Sequence, residues 1–147
     1  MGIVAAVCVS RDKGERKTPV ESIELVVGSG IAGDAHAGDW HRQVSLLAWE
    51  SIEKLRHKGL NVGEGDLAEN ITTRGIELPS LPVGTRLAIG QAMLEITQIG
   101  KECHAPCVIY HQAGECVMPK EGVFAIVIRG GVVKSGDSVT ISLPAGE

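Results

Sequence analysis

Aromatic residues are scarce in this sequence: among 147 residues there are two Trp, one Tyr and one Phe. A core built from it is therefore aliphatic, of Val, Ile, Leu and Ala. Long apolar runs are also missing, and none approaches the ~18 residues that a membrane-spanning helix needs. No basic stripe is present either. Lys and Arg number 14 against 18 acidic residues, for a net charge of −4. A nucleic-acid binder needs a concentrated positive face, so that class is excluded. An anionic small molecule stays open, because a nest of backbone N–H groups binds anions even on an acidic protein. Met1 to Val9 carries neither a basic n-region nor a cleavage site, so no signal peptide is expected and the cytoplasm is the expected location. In a reducing compartment the four cysteines read as thiols, ligands or catalytic groups rather than as disulfides.

What the chain has in excess is glycine, 19 residues. Glycine weakens helices and strands and favours tight turns, so many short strands joined by turns are expected. The length suits one domain, covering 1–147. Ile3 to Val9 reads as a buried strand, Pro19 to Val27 as a roughly alternating one, and Val44 to Ala48 as a third. Trp49, Ile52 and Leu55 then space as one face of a helix that Gly59 stops. Thr85 to Ile89 and Ala92 to Ile99 predict a hairpin across Gly90-Gln91. Gly122 to Arg129 and a stretch from Val132 to Leu143, bent at Gly136, close the chain as strands, and Val108 to Gln112 predicts one helical turn. The fold expected is mainly β with one or two helices.

Two segments concentrate chemistry. The first is Lys101-Glu102-Cys103-His104-Ala105-Pro106-Cys107, followed by His111 and Cys116. A thiol becomes nucleophilic when nearby Lys or protonated His lowers its pKa; Lys101 and His104 are placed to do so, and Glu102 opposes them. Pro106 excludes helix just before Cys107 and sets the approach of the chain, which would present this thiol at the mouth of a pocket. Cys103, Cys107, His111 and Cys116 also form a zinc-type donor set, although only one knuckle-like pair is present. Cys8, in an apolar strand, reads as a packed thiol.

The second segment runs from Gly28 to Arg42, with Gly28, Gly30, Gly33 and Gly38 among Asp34, His36, His41 and Arg42. Gly28-x-Gly30-x-x-Gly33 has the letters of a dinucleotide fingerprint, but no helix pattern follows it, so that reading fails. A glycine loop lets backbone approach a ligand closely, and Arg42 suits a bidentate grip on phosphate. No serine sits in a nucleophile-elbow sequence.

In order, Gly33-Asp34-Ala35-His36-Ala37-Gly38, Arg42-Gln43-Val44-Ser45-Leu46-Leu47, Glu69-Asn70-Ile71-Thr72-Thr73-Arg74-Gly75, Leu87-Ala88-Ile89-Gly90, Leu94-Glu95-Ile96-Thr97, Pro106-Cys107 and Gly130 to Asp137 resemble the MOSC domain, named for the C-terminal part of molybdenum cofactor sulfurases. The resemblance runs over nearly the whole chain and is similar to the small stand-alone bacterial type. It implies a β-barrel-like fold with a cleft for the molybdenum cofactor, a molybdopterin carrying a dithiolene and a phosphate. It implies that Cys107 carries sulfur or ligates molybdenum, with Cys103 and His104 beside it. It also implies that Gly33, Asp34, His36, Arg42, Asn70 and Thr72 hold the cofactor. Because the chain has no recognisable Schiff-base lysine, a sulfur-donor protein, or a cofactor-synthesis or acceptor protein, is the implied partner. Cys103-His104 next to Cys107 departs from a single-cysteine pattern, which leaves open a second sulfur-bearing thiol or a metal there. Sulfur transfer, reduction and simple delivery of the cofactor all remain open at this point.

Overall fold

The computed structural model describes residues 2–10, 17–35, 37–67, 69–100 and 121–143. Its strands follow the alternation of apolar residues. In β1 (Gly2–Val9) Val4 and Val7 point inward, in β3 (Ser22–Val26) Ile23 and Leu25 do, and in β7 (Arg86–Ile89) Leu87 and Ile89 do. In β3 and β7 this is the two-residue period of a half-buried strand, and in β1 the period slips by one residue at an irregularity between Val4 and Ala6. β5 (Val44–Ala48) is buried along its whole length, because the barrel core lies on one side of it and a helix on the other.

Seven strands close a barrel. Around the ring β1 pairs with β6 (Ile71–Arg74), then come β5, β9 (Val123–Arg129), β8 (Ala92–Ile99), β7 and β11 (Ser138–Leu143), which returns to β1. Every pair is antiparallel except β5 with β6. That parallel pair is joined through α1 (Trp49–His57), since parallel neighbours need a crossover connection. Closure removes the exposed edges that would otherwise pair with other chains. β1 serves two partners on one side: Gly2 and Ile3 pair with β11, and Val7 to Val9 pair with the short β2 (Thr18–Val20). A second sheet sets β3 between β10 (Gly131–Lys134) and the two-residue β4 (Gly30–Ile31).

The interior is aliphatic, as the composition requires, with Leu46, Ile71, Leu87, Leu94, Ile96 and Val139 among its fully buried residues. Outside the wall a second apolar cluster packs Leu47 and Phe124 against Ile52 and Leu55 of α1 and against Val62 and Leu67 of the following loop. Gly59, with φ +92°, ends the helix turn as expected.

Two sequence expectations change in detail. The stretch from Pro19 to Val27 is broken at Glu21 into β2 and β3, which belong to different sheets. The stretch from Val132 to Leu143 is likewise two strands, one in the small sheet and one closing the barrel, with a turn at Ser135–Asp137 between them. Both runs satisfy the alternation rule, and nothing local marks which sheet each half joins. The hairpin across Gly90-Gln91 forms as expected. The helical turn expected at Val108 to Gln112 lies outside the described residues.

Candidate functional site

The glycine loop is pinned from below. Asp34 Oδ1 accepts from the Ser10 amide at 3.0 Å and from Lys17 Nζ at 2.8 Å, and Lys17 Nζ also donates to Ser10 Oγ at 3.1 Å. Both charged side chains have 0% exposure, so Asp34 lies within the protein. Lys17 in turn donates its amide to the Gly65 carbonyl at 2.8 Å. Only glycine fits at position 65. Its φ is +85°, and a Cβ there would stand 2.1 Å from the Lys17 carbonyl oxygen.

Asn70 and Thr72, expected along a cleft, are also fully buried. Asn70 Oδ1 accepts from the Ser45 amide at 3.0 Å and from Ser45 Oγ at 3.1 Å, and Nδ2 donates to the Cys8 carbonyl at 3.1 Å. The side chain thus bolts β6 to β1 and β5. Thr72 Oγ1 donates to Glu69 Oε2 at 2.7 Å, which also accepts from the Gly65 amide at 2.9 Å. Oε1 of Glu69 is buried with no partner, and burial pushes this carboxyl above its ordinary pKa. Polar residues in a motif are compatible with ligand contact or with internal bonding, and here the burial of β6 from both sides selects the internal role.

Cys8 packs as expected. It is fully buried, and its thiol is pushed up to about 12, first by burial and then by the nearby Glu69 carboxylate. A thiol in that state is not a nucleophile at neutral pH. His36, Lys101, Cys103, His104, Cys107, His111 and Cys116 lie outside the described residues. Among the described residues no cluster of three or more His, Cys, Asp or Glu is arranged to hold a metal ion.

The open polar face lies where the glycine loop enters β5 and crosses β8 and β9. The Arg42 guanidinium carbon stands 4.8 Å from the Trp40 ring centre and 5.6 Å from that of Phe124. This is cation–π contact on two aromatic rings, in a chain that has few to offer. Nε of Arg42 is covered and bonded to nothing, no carboxylate among the described residues pairs with the side chain, and the residue is half-exposed. His41 beside it hydrogen-bonds through Nε2 to Gln98 Oε1 at 2.8 Å. Thr97, at an irregularity where β8 bulges between Ile96 and Gln98, donates its hydroxyl to the His41 carbonyl. Gly100 and Gly122 flank the cysteine-bearing segment and are tied to each other, amide to carbonyl, at 2.6 Å. Arg42 was legible in the sequence. The supporting roles of Trp40, Thr97, Gln98 and Phe124 were not, since they come from three separate strands and loops.

A cleft of about 590 Å³ opens on the helix side of the same flank, lined in part by Glu50, Ser51, Lys54, Glu77 and Glu121. Glu121 Oε1 accepts from Ser51 Oγ at 2.9 Å and from Lys54 Nζ at 2.8 Å. With three carboxylates to one ammonium, this cleft repels an anion, whereas the Arg42 face attracts one.

A sequence model of the MOSC domain matches residues 33–140, a span that contains the glycine loop from Gly33, Arg42 and Cys107. No curated protein matches the chain in sequence. Among solved structures, the YuaD protein from Bacillus subtilis is similar with a TM-score of 0.77 at 20% identity, over 95% of this chain and 94% of that one. YiiM from Geobacillus stearothermophilus is similar with a TM-score of 0.70 at 17% identity, over 96% of this chain and 75% of that one. YiiM from Escherichia coli is similar with a TM-score of 0.68 at 17% identity, over 100% of this chain and 72% of that one. At these identities the likeness is one of fold, and the barrel architecture is shared.

Proposed function

The chain belongs to the MOSC domain family, and on that premise we propose that it binds the molybdenum cofactor and acts in cofactor sulfuration, transfer or use, with Cys107 as sulfur carrier or molybdenum ligand. The observation that carries the reading is the state of Arg42. A half-buried guanidinium held on Trp40 and Phe124, with a covered Nε that nothing among the described residues accepts from, suits an oxyanion such as the cofactor's phosphate. Gly33 lies in the glycine loop that leads to Arg42. With φ +82° and open space where a Cβ would project, it leaves room for backbone to approach a ligand.

The family resemblance implies Cys107 as the thiol, and Cys8 does not compete for the role. Cys8 is sealed in the core with its proton firmly held, so it neither ligates nor carries sulfur. The resemblance places the functional cysteine after Pro106, with Cys103 and His104 beside it. When bound, the cofactor supplies a molybdenum centre whose chemistry the protein only positions. The chain's own tasks are then to hold the phosphate at Arg42, to support that arginine on its two rings and to offer a thiolate. A donor or acceptor protein delivers or takes up the sulfur or the cofactor. Asp34, Asn70 and Thr72 act at one remove in this reading, since they brace the loop and strands that present Arg42.

The test is molybdenum and pterin analysis of protein produced in a molybdenum-replete host, for the wild type and for Cys107→Ser and Arg42→Met. Molybdenum together with extractable pterin in the wild type, lower metal in Cys107→Ser and lower pterin in Arg42→Met is the expected result. Pterin fully retained in Cys107→Ser points to a delivery module. Zinc near one equivalent without pterin overturns the reading in favour of a zinc site at Cys103, Cys107, His111 and Cys116.

A further inference from the structure

His41 is fixed in a way that its exposure alone does not require. The Gln98 side chain donates Nε2 to the Gly100 carbonyl at 2.7 Å. A carbonyl only accepts, so that bond fixes which end of the amide is which, and Oε1 is the atom turned to His41. Oε1 also only accepts, so His41 Nε2 carries a hydrogen in both charge states of the ring. The nitrogen left for a further partner is therefore Nδ1. The backbone is held too, because the bulged Thr97 donates to the His41 carbonyl. Trp40 touches both neighbours: its ring lies edge-on to the His41 ring at 5.9 Å and supports the Arg42 guanidinium at 4.8 Å. The His41 ring and the Arg42 guanidinium, which has no acceptor among the described residues, thus share one aromatic support.

We propose that His41 is a second anion-contacting residue of the Arg42 face, binding a phosphate-type oxyanion through Nδ1–H when the ring is protonated. The proposal rests on the reading of that face as the ligand face and specifies how its affinity responds to pH. The surroundings leave the imidazolium to a ligand. Among the described residues no ion pair involves His41. On β8 the Glu95 carboxylate is taken by Arg86 at 3.1 Å, and near the start of β9 Glu121 is taken by Lys54 at 2.8 Å. At the far end of β9 Arg129 donates to the Gln91 carbonyl. Asp39 and Arg42 flank His41 in the chain as one charge of each sign. A neutral His41 offers only a lone pair at Nδ1, which repels an oxyanion, whereas the protonated ring adds a charge-assisted donor.

Sulfate is the probe of choice, because its charge is constant over the range in which an imidazole titrates, about pH 5 to 8. Its affinity for the wild-type protein, His41→Phe and Arg42→Met is to be measured by calorimetry across that range, with nitrogen NMR of the histidine rings. The expected wild-type affinity falls by roughly tenfold as pH rises from about 5 to 8, the size of one charge-assisted hydrogen bond. In His41→Phe that dependence flattens, and in Arg42→Met affinity is lost at every pH. The ring signals should show Nε2 protonated and Nδ1 moving with sulfate. A pH dependence as steep in His41→Phe as in the wild type, or a neutral ring protonated at Nδ1, overturns the proposal while leaving the Arg42 reading intact. Unchanged sulfate binding in Arg42→Met overturns both.

Discussion

Two polar regions of this barrel look alike in sequence and differ in the fold. One is the belt of Ser10, Lys17, Asp34, Ser45, Glu69, Asn70 and Thr72, packed around β1, β5 and β6 and buried throughout. The other is the face of His41, Arg42, Thr97 and Gln98, across β8 and β9. In the belt nearly every polar atom has an internal partner, and the orphan is Glu69 Oε1. On the face Arg42 is held by rings rather than by acceptors, and its donors are left unmatched. A buried network that satisfies itself specifies structure. A supported cation with no anion among the described residues is what the proposed function assigns to a ligand.

The comparison breaks most visibly at Lys17. Lys17→Met takes the buried ammonium away from the Asp34 carboxylate and is expected to cost about 3–5 kcal/mol of stability in urea unfolding. The double variant Lys17→Met with Asp34→Leu removes both charges and should recover most of that loss. A single-variant cost below about 1 kcal/mol would place the pair with weak surface ion pairs instead.

Asn70→Ala comes next. It removes the bonds that the side chain makes to the Ser45 amide and hydroxyl and to the Cys8 carbonyl, with an expected loss of about 1–3 kcal/mol. Cofactor binding should persist in whatever fraction of the variant remains folded. Loss of binding from fully folded Asn70→Ala protein would return this residue to the ligand face.

Glu69 sharpens the belt further through pH. Burial raises its folded pKa above the unfolded value, so the folded chain keeps a proton that the unfolded chain has already released. The stabilising contribution is complete below the unfolded carboxylate pKa and is lost as pH rises through the folded one. Unfolding free energy of the wild type relative to Glu69→Gln should therefore fall from acid toward neutral pH. The slope is the readout, since the variant's buried amide adds its own constant cost. Parallel curves for the two proteins would mean that Glu69 does not titrate with a raised pKa.

Arg42→Met should show the smallest stability change, within about 0.5 kcal/mol, as expected for a side chain that hydrogen-bonds to none of the described residues and whose packing on Trp40 and Phe124 methionine can keep. Its effect belongs to pterin and sulfate binding. A stability loss as large as that of Asn70→Ala would make Arg42 structural and remove the contrast between the two regions.

Much of this was legible beforehand. Apolar runs and alternation located β1, β5, β7, β8 and β9 within a residue, spacing of Trp49, Ile52 and Leu55 located α1, and the ordered motifs pointed to the family. Arg42 was singled out because a charged residue between a glycine loop and a strand has few internal uses. Asn70 and Thr72 were read with it because nothing local separates a buried amide from an exposed one. Glu69 stood in the same motif, but its unpaired oxygen depends on Gly65 and Thr72 closing around the other one.

The sequence by itself determined an aliphatic β protein with one helix, its turns and the chemistry carried by Arg42, His41 and the cysteine-bearing segment. These follow from composition and from periods of two to four residues, which are local. Only the tertiary structure decided that seven strands close on one another, that β5 and β6 run parallel, and that Val132 to Leu143 serves two sheets. It alone decided that Asp34 meets Lys17 and Asn70 meets Ser45 while Arg42 meets two rings. Such choices depend on contacts between residues far apart in the chain, and a side chain's polarity names its need for a partner without naming which partner it finds.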